Sequence, residues 1–150
     1  MEFTYRLTGA GWSEARLADG SSSVTLAASY VGDALGGLLK AVAALLEGAQ
    51  HARCSWAQEP GESRWIFDRA GSEVRLLVLA FHHAEFPEPD DTGRAVFESA
   101  GSLREMAEAI AGGAQEVLDE YGEDGYLEVW GEHPFPVGQL ELIQAHLAHK

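Results

Sequence analysis

A single cysteine, Cys54, rules out an internal disulfide, and without a Cys-x-x-Cys pair there is no thiolate metal site of the usual spacing. Lysine is nearly missing, with Lys40 and Lys150 the only two. Ten basic residues stand against twenty-four acidic ones, a formal net charge of −14. That balance repels a phosphate backbone and no Lys/Arg cluster offsets it locally, so no nucleic-acid partner is expected. An anionic membrane surface is disfavoured on the same ground. Long apolar runs are lacking too. The least charged stretch, residues 20–39, carries Ser21, Ser22, Ser23 and Thr25 and is too polar for a membrane span. The opening MEFTYRLTGA has no apolar run of signal-peptide length, which makes a cytoplasmic protein the expectation.

Catalytic signatures are equally scarce. There is no G-x-S-x-G elbow and no H-E-x-x-H pair. The glycine-rich GDALGG lacks the Gly-Lys-Ser/Thr ending of a phosphate loop and falls inside a helical pattern rather than before one. No cofactor is implied, and the balance leans away from an enzyme.

What is present is a globular composition. The chain has 150 residues, 46% of them apolar. That is the size of one domain, residues 1–150, able to bury roughly 70% of its unfolded surface. The clearest pattern is residues 29–48. Val31, Ala34, Leu35, Leu38, Leu39, Val42, Leu45 and Leu46 recur at spacings of three and four, which puts them on one helical face. Ser29 is the expected N-cap and Gly48 the expected left-handed C-terminal residue. Gly36 and Gly37 weaken the helix, which is accounted for by close contact of its backbone with a sheet.

Before this helix, Phe3, Tyr5 and Leu7 alternate with polar residues, as do Ala15 and Leu17, then Val24, Leu26 and Ala28. These are three strands with one buried face each. Asp19-Gly20 is a tight hairpin signal. After the helix, Ala52, Cys54 and Trp56 mark a fourth strand, and Glu59-Pro60-Gly61-Glu62 reads as a type II turn. Residues 63–68 form a fifth strand with Trp65 and Phe67 on one face. Residues 73–83 form a sixth, apolar on both faces and therefore central. Residues 84–93, AEFPEPDDTG, are an irregular acidic loop, and 94–99 a seventh strand. Ser102 and Glu105 make a capping box for a second helix that keeps its spacing to Gly122. Tyr126, Glu128 and Trp130 alternate with Leu127 and Val129, so a short extended piece is expected there. Pro136 opens a third helix. The order βββαββββα(β)α, with tight turns between strands, implies an α+β domain: a mainly antiparallel sheet of six to seven strands with helices on one face.

Few side chains suggest a site. His82, His83 and Glu85 are weak metal candidates, because adjacent residues on a strand point to opposite faces. Cys54 beside Trp56 reads as a buried, inert thiol. Trp56 and Trp65 are either a core cluster or a binding surface. Glu85, Glu88, Asp90 and Asp91 in the loop are candidates for contact with a basic partner. So are Trp130, His133 and Phe135 in the C-terminal link, as a lid or a partner contact. A second acidic cluster runs from Glu116 to Asp124, with Glu128 and Glu132 beyond.

Three stretches, SYVGDALGGLLKAVAALLEGA, EPGESRWIFDR and EHPFPVGQLELI, resemble a group of small acidic bacterial proteins of unassigned function. The resemblance covers most of the chain, and its motifs are a helix entry, a hairpin turn and a helix start. It implies no catalytic residue. The expectation is a non-enzymatic domain that binds a basic protein, of an immunity or inhibitor type. The alternatives are a small-molecule or metal-binding domain and a self-associating module such as a homodimer.

Overall fold

Alternation at period two becomes seven strands in the structure, a computed structural model that describes residues 1–20, 22–82 and 88–149. They are β1 (Glu2–Gly9), β2 (Trp12–Asp19), β3 (Ser22–Ser29), β4 (His51–Ala57), β5 (Glu62–Ala70), β6 (Glu73–Phe81) and β7 (Arg94–Ser102). Helix α1 (Ala34–Leu46) links β3 to β4, and α2 (Leu103–Trp130) and α3 (Val137–Ala148) close the chain. All strand pairs are antiparallel.

The strands form two sheets rather than the expected single one: β1-β2-β3 and β4-β5-β6-β7. The physical reason lies in the connections. A hairpin turn fixes the pairing and register of the strands it joins, whereas a helix between two strands fixes neither. At one end of β3, Gln58 donates from Nε2 to the Ala27 carbonyl (3.1 Å). Near its other end Ser99 of β7 donates its hydroxyl hydrogen bond to Asp19. The β3 strand therefore passes across the second sheet from β7 to β4 without pairing to either.

One core lies between the inner faces. Phe3, Tyr5, Leu7, Ala15, Leu17, Leu26 and Ala28 come from the first sheet, and Trp56, Trp65, Phe67, Val74, Leu76, Val78 and Phe97 from the second. The inward side chains of α1, α2 and α3 complete it, with Leu35, Leu38, Leu39, Ile110 and Ile143 fully enclosed. Helix α1 packs on β4, and α2 packs on β1. Gly37 sits over Cys54, where an added Cβ would be 3.6 Å from the cysteine Cβ, the close helix–sheet approach its glycines suggest.

Helix α1 starts later than its pattern implies. Ser29 ends β3, paired with Trp12, and Asp33 is the N-cap, its Oδ1 accepting from the Gly36 N–H (3.1 Å). Gly36 leaves room for that cap, since a Cβ there would overlap the Asp33 carboxylate. The 59–62 turn is not type II: the Glu59–Pro60 peptide is cis, and Gln58 N–H donates to the Gly61 carbonyl (2.9 Å).

The expected extended piece at 126–130 is helical. At Gly122 (φ 68°, ψ 174°) the first segment of α2 ends, and helix then resumes to Trp130. Tyr126 and Trp130 are four apart, a spacing that fits one face of a strand and one face of a helix equally well. Both face the core, while Leu127 and Glu128 between them are exposed.

Two adjacent glycines in α2 give opposite expectations. Gly113 lies against β1, where a Cβ would meet the Phe3 ring at 2.5 Å and the Phe3 carbonyl oxygen at 3.1 Å, whereas Gly112 faces open space. Gly112→Ala raises stability by about 0.5–1 kcal/mol through helix propensity. Gly113→Ala lowers it by roughly 1–3 kcal/mol through overpacking. Denaturant unfolding of the two variants checks the opposite signs.

Candidate partner-binding surface

The described part of the acidic loop is tied to the outer face of the second sheet by two arginines. Arg64 is buried beneath it, with its guanidinium 4.0 Å from the centroid of the Phe81 ring. It donates from Nη1 to Asp90 (2.8 Å) and to the Glu88 carbonyl (2.6 Å), and from Nη2 to Glu62 (2.6 Å). Arg53 on β4 adds a bidentate pair to Asp90 (2.7 and 3.2 Å). Ser55 donates to the other oxygen of Glu62. Behind the strap Gly93 lies so close to Phe81 that a Cβ would stand 2.6 Å from the ring. Asp90 is therefore neutralised within the molecule. Asp91 remains exposed, and Glu88 is half-buried. Glu85 falls outside the described residues.

The hydrogen bonds from Arg53 and then Arg64 hold the Asp90 carboxyl below its ordinary value. Burial alone would raise Glu62, but hydrogen bonds from Arg64 and Ser55 and the nearby guanidinium charges outweigh it and hold Glu62 low as well.

Trp130 and Phe135 are not surface contacts. Both are in the core, where Phe135 meets Tyr126 edge to face with centroids 5.3 Å apart, and Tyr126 lies 6.5 Å from Trp130. The cause is the helical form of 126–130, which turns Tyr126 and Trp130 inward together. His133 is half-buried, and its Nε2 is enclosed without a hydrogen-bond partner. Trp56 and Trp65 lie tilted by 36° with centroids 4.6 Å apart on the inner face, and Tyr5 meets Trp56 edge-on at 5.8 Å. All three are buried, so this aromatic group is core rather than a binding surface.

The hydroxyls of Tyr5, Ser13 and Tyr126 gather beside this group, yet none is in hydrogen-bond geometry with another protein atom. Burial pushes the Tyr5 hydroxyl up to about 12, helped by the charge of Asp33 and opposed by the neighbouring hydroxyls. Burial raises Tyr126 further. Both tyrosine hydroxyls are therefore neutral at physiological pH.

The histidines do not converge. His82 is exposed at the end of β6, His83 and Glu85 lie outside the described residues, and His51 pairs with Asp68 (2.7 Å) on the outer sheet face. Among the described residues no three His, Cys, Asp or Glu side chains come together to hold a metal ion. Burial pushes the Cys54 thiol up to about 12.

The free acidic surface is on α2. Glu116, Asp119, Glu120, Glu123, Asp124 and Glu128 are exposed along it, with Glu132 just beyond. Ion pairs of the described residues lie elsewhere, the one on α2 being Arg104–Glu108 in its first turns. From Glu105 to His149 there are ten acidic residues and no Lys or Arg. That segregation is visible in the sequence once charges are counted by segment rather than by cluster. Among the described residues four large apolar side chains are exposed: Tyr30, Val31, Leu127 and Leu142. Sequence reading missed Tyr30 and Val31 because a helical pattern covers them, and Leu127 because the strand pattern placed it on an alternating face.

No helix of the described residues is long and apolar enough to cross a membrane. Compared with family models, curated proteins and solved structures, the chain matches none.

Two outcomes test this geometry. Asp90 and Glu62 titrate below their ordinary values of 3.8 and 4.5. Their stabilisation is therefore complete above about pH 4.5 and is lost as pH falls through the lowered values. The stability gap between the wild type and Arg64→Met, read by denaturant unfolding, should shrink steadily below that pH; a constant gap contradicts the strap. The Cys54 thiol, raised by burial from its ordinary 9.0 to about 12, should react with a disulfide reagent at pH 8 at least about tenfold more slowly in the native protein than after unfolding.

Proposed function

We propose that this protein is a non-enzymatic binding domain for a basic protein, of the kind that acts as an immunity or inhibitor protein, and that α2 presents the binding face. The observation that carries this reading is the charge segregation: ten acidic residues without one Lys or Arg from Glu105 to His149, eight of them on α2, where they are exposed. Such a face creates a one-signed field that steers an oppositely charged partner and disfavours others. The first acidic cluster has a different use, since Asp90 is held by Arg53 and Arg64.

Affinity capture from lysate of the source organism at low and high salt tests this reading. A basic protein retained at about 50 mM salt and released near about 500 mM is expected, because the Debye length shrinks well below the spacing of surface charges. The triple variant Glu120→Lys, Glu123→Lys, Asp124→Lys should lose that protein, while Asp91→Lys keeps it. Retention indifferent to salt and to the triple variant overturns the proposal.

A further inference from the structure

The acidic face has an apolar centre at one end. Tyr30 and Val31 sit on the β3–α1 connection, and Leu127 sits on the last segment of α2. Val31 is 59% exposed, Tyr30 42% and Leu127 40%. Tyr30 is placed at the C-terminal end of α2, one turn past Leu127. Gly131 lies one helical turn beyond Leu127, its N–H bonded to the Leu127 carbonyl (2.9 Å), and a Cβ on it would be 3.9 Å from the Tyr30 Cβ. Val31 follows Tyr30 directly.

The position of Tyr30 is fixed by backbone. Its N–H donates to the Gly11 carbonyl (2.8 Å), and the Gly11 N–H donates to the Val129 carbonyl (3.0 Å), so the β1–β2 turn clamps the tyrosine to the end of α2. The ring lies over Gly11, where a Cβ would stand 2.7 Å from it, and Gly11 itself has φ +76°. Only glycine satisfies both demands. An exposed tyrosine held this way loses little conformational freedom on binding, which favours affinity.

The rim is acidic on the α2 side. Glu123 and Asp124 stand one turn before Leu127, Glu128 follows it, and Glu132 lies past Gly131, all exposed. An isologous pair of copies meeting through this patch would bring those carboxylates together, which argues against self-association.

We infer that Tyr30, Val31 and Leu127 form the apolar centre of the docking surface and that its occupant is a basic amphipathic helix, with apolar side chains on this patch and Lys or Arg on the acidic rim. The inference rests on the basic-partner reading above and specifies it.

Two synthetic peptides of about 18 residues, built from Leu and Lys, separate the two claims. One has leucines at helical spacing on one face, and the other is a scramble of the same composition. Binding to the whole protein is read by fluorescence anisotropy at low salt. The amphipathic peptide should bind at least about tenfold more tightly than the scramble. Val31→Asp and Leu127→Asp should each bring it down to the scramble's level, with circular dichroism unchanged. Leu142→Asp, at an exposed leucine on α3, should leave the difference intact. Equal binding of both peptides, or an equal loss with Leu142→Asp, overturns the patch while leaving the basic-partner reading standing. Failure of both peptides to bind at low salt sinks that reading and the patch with it. A wild-type dimer in light scattering that Leu127→Asp converts to monomer assigns the patch to a second copy instead.

Discussion

Contact between Tyr5 and Trp56, backed by Trp65 tilted against Trp56, joins the inner faces of the two sheets within one core. Tyr5 belongs to the three-stranded sheet and both tryptophans to the four-stranded one, with centroid separations of 5.8 and 4.6 Å. Among the described residues no backbone hydrogen-bond ladder joins the sheets. Their relative placement rests on side-chain packing, and aromatic pairs of this kind add about 0.5–1.5 kcal/mol each beyond the area they bury. The helices then fill what the two inner faces leave open: α1 over β4 through Gly37, α2 over β1 through Gly113.

From that arrangement follows a division of labour among the acidic residues. The outer face of the four-stranded sheet carries the apolar Leu79 and Phe81, and it is covered by Arg64 and residues 88–93. Covering it requires charge on both sides, so Asp90 and Glu62 are spent on Arg53 and Arg64. The α2 carboxylates from Glu116 to Glu128 face solvent with no ion pair among the described residues and keep their long-range field. Acidic residues with similar sequence surroundings thus have different meanings, set by whether a guanidinium lies across the fold. Removing the loop's charge from the partner surface also narrows the proposed binding face to one helix and the turn that abuts it.

Much of the architecture was legible in the chain. Alternation in Phe3-Tyr5-Leu7, in Ala52-Cys54-Trp56 and in Val74-Leu76-Val78 marks strands because each has one face on the core. The Ser102–Glu105 box marks the start of α2, where Ser102 Oγ accepts from the Glu105 N–H (3.2 Å). Gly122 marks the end of its first segment. The surface was less legible. Trp130 and Phe135 read as tethered aromatics in a polar link, but a helical turn at 126–130 carries Trp130 into the core and Phe135 packs against Tyr126. Tyr30 and Val31 read as the first turn of a helix, yet Ser29 pairs with Trp12 and Asp33 caps α1, which leaves both on an exposed connection.

The sequence by itself determined the seven strands and three helices apart from the 126–130 segment and the start of α1, the α+β class and the charge imbalance, because periodicity, capping and composition act over a few residues or over none. Tertiary structure alone decided that seven strands divide into two sheets, since a helical crossover carries no register from β3 to β4. It also decided which carboxylates are paired. Arg53 and Arg64 meet Asp90 across 37 and 26 positions of chain, and no local pattern encodes a contact of that separation. The placement of Tyr30 is of the same kind: backbone bonds through Gly11 join the β1–β2 turn both to Tyr30 and to the end of α2.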